Sequence, residues 1–309
     1  MEMLERYRGA ILGMALGDAL GMPVEFPDPN PTESVREILP APHRGVAAGT
    51  WTDDTSMALC LAESLIEHGR MDAEDQLQRY QRWYREGHLS AEDDCFGCGP
   101  TVRAELERFE GGVVAELIGD PEATTNGALM RVAPAPLAFR RDRDGAITAA
   151  GESSRTTHRA ADSVDACRYY AGLMVGVLNG VAKRELLAPG YPTDGPWETE
   201  PLAPRVRAVA DGSFRENEPP EISGDNDVVK TLEAALWAFN RTDEFEDGCV
   251  QAVALWLDAD TTGAVYGALA GAHYGEAALP ERWLAKLRYR DLLIDFAEGL
   301  YRLSERLPG

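Results

Sequence analysis

The stretch Asp258-Ala259-Asp260-Thr261-Thr262-Gly263-Ala264-Val265-Tyr266-Gly267-Ala268-Leu269-Ala270-Gly271-Ala272-His273-Tyr274-Gly275 holds two patterns in one segment. Its first half is an acid-and-hydroxyl cluster, Asp258 to Thr262. Its second half reads as a helix over 261–274, with glycine at every fourth position: Gly263, Gly267, Gly271 and Gly275. Mid-helix glycine is worse than alanine by roughly 1 kcal/mol, so repeated glycine needs a reason. Four-residue spacing puts the glycines in one stripe, along which another backbone can approach closely. A second ladder with the same period, Gly9, Gly13, Gly17 and Gly21, lies in a predicted helix over 3–21. Polar residues between the glycines exclude the membrane version of the motif, leaving core packing.

The acid cluster has a counterpart as well. Thr52-Asp53-Asp54-Thr55 stands about two hundred residues upstream and opens a predicted helix over 53–68. One acid at a helix head is ordinarily a cap that satisfies free N–H groups. Two acids flanked by hydroxyls, at both helix heads, exceed that need. Brought together, Asp53, Asp54, Asp258 and Asp260 are four carboxylates calling for hard divalent cations and all-oxygen ligation, a Mg²⁺ or Mn²⁺ site.

The rest of the chain also reads as helical: Ala, Leu, Glu and Arg dominate and alternating β-branched runs are scarce. Further helices are expected at 72–86, 99–110, 127–139, 162–183, 226–240, 243–257 and 288–305. Asp72 and Asp162 read as helix starts, Gly69 and Gly87 as stops. From 186 to 225 the chain turns rich in Pro, Gly and acids, a surface excursion with at most one short helix. The acid clusters lie on opposite sides of it, so residues 1–309 are expected to form one domain.

Thirty basic against 52 acidic residues give a formal charge of −22, which disfavours nucleic acid and anionic membranes as partners. No run of about eighteen apolar residues predicts a transmembrane helix. The N-terminus lacks the pattern of a signal peptide, and five scattered cysteines fit a reducing cytoplasm better than a disulfide framework.

Other residues are ambiguous taken singly. Glu25 reads equally as a solvated loop acid or as chemistry. Asn126-Gly127 is by default a turn, able to present N–H groups to an anion. Phe96-Gly97-Cys98-Gly99 is a weaker case of the same. Cys95 and Cys98 form a CxxC with no second pair for zinc. A lone His158 is more often structural than catalytic, and Trp51 is either core or cleft wall.

Taken in order, GDALGMPVEF (17–26), GTWTDDTSMAL (49–59), TNGALMRVAP (125–134), TTHRAADSVDACRYY (156–170) and DADTTGAVYGALAGAHYG (258–275) resemble the ADP-ribosylglycohydrolases, including the dinitrogenase-reductase-activating type. The resemblance runs from about residue 5 to 300, and the paired TDDT and DxDTTG clusters are its specific part. It implies an all-α, compact orthogonal multi-helix bundle with a binuclear Mg²⁺ or Mn²⁺ centre. The metal ligands it implies are Thr52, Asp53, Asp54, Asp258, Asp260 and Thr261. Gly97, Cys98 and Gly99, with Thr125, Asn126 and Gly127, match loops holding the diphosphate and distal ribose, and His158 the histidine beside that ribose. Glu25 matches the acid near the metals and is the expected proton-handling group, with Asp260 as competitor. The implied activity is hydrolysis of the glycosidic bond between ADP-ribose and an acceptor, on an ADP-ribosylated protein or a small conjugate, by a monomer or weak oligomer. Two departures stand out: Thr125 where the family usually has Gly, and Trp256 in Ala254-Leu255-Trp256-Leu257 where Asn-Leu-Gly-x is common. A non-catalytic ADP-ribose-binding protein and a metal-dependent nucleoside-diphosphate hydrolase releasing AMP are the competing readings.

Overall fold

A computed structural model describes residues 1–25, 35–193 and 195–308. Phe26, the downstream neighbour of Glu25, lies outside the described residues. The described chain is all-α, with no strand. The helices run α1 Met3–Gly21, α2 Asp53–His68, α3 Ala73–Glu86, α4 Pro100–Glu110, α5 Pro134–Ala138, α6 Arg143–Arg155, α7 Ala161–Leu178, α8 Lys183–Leu186, α9 Pro204–Asp211, α10 Ser213–Glu216, α11 Val228–Arg241, α12 Phe245–Val253, α13 Ala259–Tyr274, α14 Glu281–Leu284 and α15 Arg290–Arg306.

The two glycine ladders face each other. A Cβ added at Gly9 would stand 2.2 Å from the Gly271 carbonyl oxygen, at Gly13 2.4 Å from that of Gly267, and at Gly17 2.0 Å from that of Gly263. The pairing runs in opposite senses along the two helices, so α1 and α13 are antiparallel and meet backbone to backbone. Gly21 ends its ladder against the backbone of Asp260, which places the close approach beside the acid cluster. Gly275 departs from the stripe: at φ +83° it ends α13, its open side against Met1. Both helices are buried on nearly every side, as expected of elements at the centre of a core. Helices α2, α7, α11, α12 and α15 pack against this pair, and a smaller apolar cluster around Tyr80, Trp83 and Leu106 joins α2, α3 and α4.

Most predicted boundaries hold to within a few residues. Asp72 caps α3 through the Asp75 N–H at 3.1 Å, and Gly69 and Gly87 terminate their helices in the left-handed region. Asp162 lies in the first turn of α7, whose cap position is Ala160.

Four expectations need correction. The helix predicted at 127–139 is a 3₁₀ turn at Asn126–Ala128 followed by α5, because Pro134 and Pro136 lack the N–H groups a continuous helix requires. The helix predicted at 243–257 stops at Val253, since Trp256 and Leu257 take φ of 58° and 57°. α6 was not expected: its Gly, Ser and Thr content is poor for a helix, but Asp142 caps it and Ala146, Ile147 and Ala150 are buried. The 186–225 excursion holds more than the one short helix expected. It holds α9, α10 and a 3₁₀ turn and buries Val206, Val209 and Phe214, while the buried Asp165 of α7 accepts the Ala203 N–H at 2.7 Å.

Candidate active site

The antiparallel α1–α13 pair sets the head of α13 beside the tail of α1, and the head of α2 docks on the same place. Asp18 makes that dock. Fully buried in α1, it accepts the Thr52 N–H at 2.9 Å, the Thr55 N–H at 3.2 Å and the Thr55 hydroxyl at 2.7 Å. Burial pushes its carboxyl up to about 7 even with these donors. The first turn of α2, carrying Asp53 and Asp54, is thereby fixed to α1.

A second framework holds the opposite wall. The segment before α11 accepts the Asn126 N–H on the Asn226 carbonyl (3.0 Å) and the Asp258 N–H on the Gly224 carbonyl (2.8 Å). The Asn126 side-chain amide donates to Asp258 at 2.7 Å and to Thr231 at 3.0 Å. The 125–127 turn and the head of α13 are therefore positioned by one short stretch of chain.

These frameworks enclose a cleft of about 440 Å³ lined by Glu25, Asp53, Asp54, Gly97, Cys98, Gly99, Thr125, Asn126, Gly127, His158, Asp258, Asp260 and Thr261, with Pro100 to Val102, Met130 and Asn226. Of the metal-ligating, substrate-binding and catalytic residues expected from the sequence, only Thr52 is outside this lining; it caps α2 and its hydroxyl donates to Asp54 at 3.0 Å. Glu25, Asp258 and Asp260 each bring one carboxylate oxygen within 4.8 Å of the others. The Thr261 hydroxyl reaches Asp54 at 3.5 Å.

The electrostatics are those of an acid cluster in which, among the described residues, only Glu25 has a cationic partner, Arg44. Burial, then repulsion from Glu25, Asp18 and Asp258, holds Asp53 well above the usual carboxylate range. Asp54 and Asp260 are raised well above it for the same two reasons. Burial raises Asp258 as well, opposed by the Asn126 bond. One oxygen of Asp54, Oδ1, is buried without a hydrogen-bond partner among the described residues. A cation bound among these groups would remove the repulsion and satisfy that oxygen.

The loop at 97–99 comes very near Asp53. A Cβ on Gly97, which takes φ +91°, would stand 2.4 Å from Asp53 Oδ1, so only glycine fits. Gly99 is the cap of α4, whose free first-turn N–H groups suit an anion. His158 is enclosed, its ring nitrogens 2.8 Å from the Thr157 hydroxyl and 2.9 Å from the Thr125 hydroxyl. Burial lowers its pKa to about 3, so the imidazole is neutral. Thr125 has extended backbone (φ −76°, ψ 160°), so threonine is unstrained there and adds a bond to His158. Trp256 is the opposite case: at φ 58° it occupies the left-handed region that glycine fits best. Cys95 and Cys98 are half-buried and free of disulfide; Cys98 lines the cleft and no third thiol joins them. Trp51 is core, with its indole N–H on the Arg288 carbonyl.

Among the residues not singled out from sequence, Asp18 and Asn226 matter most. Asp18 had one visible signal, an acid inside the otherwise apolar stretch of the Gly9–Gly21 ladder. Asn226 had none beyond its place before α11.

A family model described as ADP-ribosylglycohydrolase matches residues 1–308. ADP-ribosylarginine hydrolase Tri1 of Serratia proteamaculans is 34% identical over 304 residues, covering 98% of this chain and 81% of that protein. The ADP-ribosyl-[dinitrogen reductase] glycohydrolase of Rhodospirillum rubrum is 31% identical, covering 92% of this chain and 90% of that one. Among solved structures, one titled ADP-ribosylglycohydrolase-related protein complex superposes with a TM-score of 0.85 at 43% identity, covering 98% of this chain and 99% of that one. Match, fold and cleft agree: the chain belongs to the ADP-ribosylglycohydrolase family.

Proposed function

We propose that this cleft hydrolyses the N-glycosidic bond joining ADP-ribose to the guanidinium of an arginine side chain, and that it does so with two divalent cations, Mg²⁺ or Mn²⁺. One observation carries the reading: five carboxylates, Glu25, Asp53, Asp54, Asp258 and Asp260, converge on one cleft, and a buried oxygen of Asp54 has no partner among the described residues. The donor set fits hard cations, being all carboxylate and hydroxyl oxygen. Asp53, Asp54, Asp258, Asp260 and Thr261 would hold them, with Thr52 supporting Asp54 from behind. Bound there, the metals would supply charge to orient the ribose hydroxyls and lower the pKa of water. Arginine as acceptor is supported by the name of the Serratia relative.

The protein's own groups divide the remaining work. The first turn of α4 and the Gly97–Gly99 loop offer N–H groups to the diphosphate. His158, held neutral, positions the 125–127 turn and adds no charge. Water attacks the anomeric carbon through an oxocarbenium-like transition state, yielding ADP-ribose and arginine. Glu25, as a carboxylate, takes a proton of the attacking water and passes it to the guanidine as the C–N bond breaks. Burial raises its pKa, the Arg44 guanidinium opposes this, and the Asp258 charge adds to the rise, which suits proton transfer. Asp260, buried beside it, is the second carboxylate able to take a proton from the attacking water.

The test is product analysis with an ADP-ribosyl-arginine peptide. ADP-ribose should form with Mg²⁺ or Mn²⁺ and not after EDTA treatment. Asp53→Ala should abolish turnover with helical content intact. Glu25→Gln should lower kcat by about 10²–10⁴-fold with ADP-ribose affinity kept and no rescue by excess metal. Release of AMP would instead mean phosphohydrolysis, and undiminished turnover by Asp53→Ala would overturn the site.

A further inference from the structure

Arg44 brings a cation to a cleft whose described lining contains no Lys or Arg. Its guanidinium forms an ion pair with Glu25, and its Cζ lies 6.0 Å from the centroid of the Phe96 ring, at the outer reach of a cation–π contact. Glu25 stands beside Asp258 and Asp260, and Phe96 immediately precedes Gly97, whose backbone abuts Asp53. Arg44 thus bridges the two sides of the carboxylate cluster.

The turn carrying Arg44 is held by its own backbone. Ala41 and Val46 pair across it, the Arg44 N–H donates to the Ala41 carbonyl at 3.0 Å, and the Gly45 N–H to that of Pro42 at 3.1 Å. At its tip Pro42, His43 and Gly45 are exposed, and a Cβ on Gly45 would meet nothing within 4 Å. Rotation of the Arg44 side chain is therefore enough to break the ion pair, with no change to the turn.

A planar guanidinium paired with a carboxylate beside an aromatic ring is the chemistry by which arginine is recognised. We propose that Glu25 and Phe96 form the leaving-group subsite for the guanidinium of ADP-ribosylated arginine, and that Arg44 is its resident occupant, displaced when that guanidinium arrives. The inference rests on the hydrolase reading above, since it assigns the acceptor side of the same cleft. Arg44 keeps Glu25 paired while the cleft is empty, and any guanidinium ligand must compete with it. Apparent affinity for such ligands is reduced by the fraction of molecules in which Arg44 is seated. Side-chain exposures of 24% for Arg44 and 15% for Glu25 make this a partly hydrated pair, so the reduction is small, about two- to fivefold. A ligand held only by its diphosphate and ribose meets no such competitor.

The experiment uses Mg²⁺-loaded protein titrated by calorimetry with agmatine, a free guanidinium, and with ADP-ribose, which has none. In Arg44→Ala, agmatine should bind about two- to fivefold more tightly while ADP-ribose affinity stays put. KM for an ADP-ribosyl-arginine peptide should fall by a similar factor without loss of kcat. Phe96→Leu should weaken agmatine binding in both backgrounds. Agmatine binding unchanged or weakened by Arg44→Ala would overturn the proposal, as would an equal shift for ADP-ribose. Tighter agmatine binding in a protein that cleaves no ADP-ribosyl linkage would remove the hydrolase reading and leave the subsite. Cleavage of some linkage with agmatine indifferent to Arg44→Ala would remove the subsite alone.

Discussion

His158 shows what enclosure does to a single residue. Burial, aided by the nearby positive charge of Arg131, brings its pKa from the ordinary 6.5 to about 3. In the unfolded chain it takes up a proton near pH 6.5; in the folded chain it resists until about 3. The stability linked to this residue is therefore complete above pH 6.5 and is lost as pH falls toward 3, where the unfolded state binds the extra proton. Denaturant titrations between pH 7 and 4 should show wild type losing stability more steeply than His158→Gln, by up to one proton's worth of slope; equal slopes would contradict the assignment. At this scale the lining of the candidate cleft was largely legible. Carboxylates and hydroxyls crowded at two helix heads stand out because capping needs only one. Asp18 did not stand out, because its partners Thr52 and Thr55 lie 34 and 37 positions away and only folding introduces them. Trp256 was visible as a departure, yet its left-handed backbone was not, since nothing in a tryptophan announces positive φ.

Among the elements, the α1–α13 contact makes a sharp distinction between glycines. A Cβ on Gly267 would stand 2.1 Å from the Gly13 carbonyl oxygen and 2.7 Å from its carbonyl carbon, and backbone on a buried helix cannot yield. A Cβ on Gly299 in α15 would meet Ile66 Cδ1 at 2.7 Å, the far end of a side chain that can rotate. Alanine gains about 1 kcal/mol of helix propensity at either site. Gly267→Ala should nevertheless destabilise by about 2 kcal/mol or more, since overpacking against backbone outweighs that gain. Gly299→Ala should be neutral or stabilising. Urea midpoints would separate them, and a stabilised Gly267→Ala would refute the close approach. The ladders were legible as a demand for a partner, though not for each other: a four-residue period names a face, never what lies against it. α6 was illegible for the converse reason, its helix being imposed by packing rather than propensity.

For the molecule as a whole, charge is the controlling quantity. With 52 acids and 30 bases, 22 negative charges stay uncompensated even if every Lys and Arg is paired. Surface pairs such as Arg282 with Glu37 and Glu246 weaken in salt, but each is worth at most about 1 kcal/mol. The unpaired excess outweighs them, so the melting temperature should rise between about 10 mM and 500 mM NaCl, as the screening length falls from roughly 30 Å to a few Å. A flat or falling curve would show that the surface pairs prevail.

The antiparallel pair at the centre also has a consequence for biosynthesis. Arg6 and the Ala272 carbonyl, joined by a hydrogen bond, are 266 positions apart. On a ribosome adding about 5–20 residues per second, α1 is made before α13 and waits on the order of 10–50 s for it. During that wait it is an apolar rod with an open glycine groove, the sort of surface that chaperones hold. Neither half of the acid cluster meets the other until α13 is released, so the nascent chain carries no assembled cleft before that point.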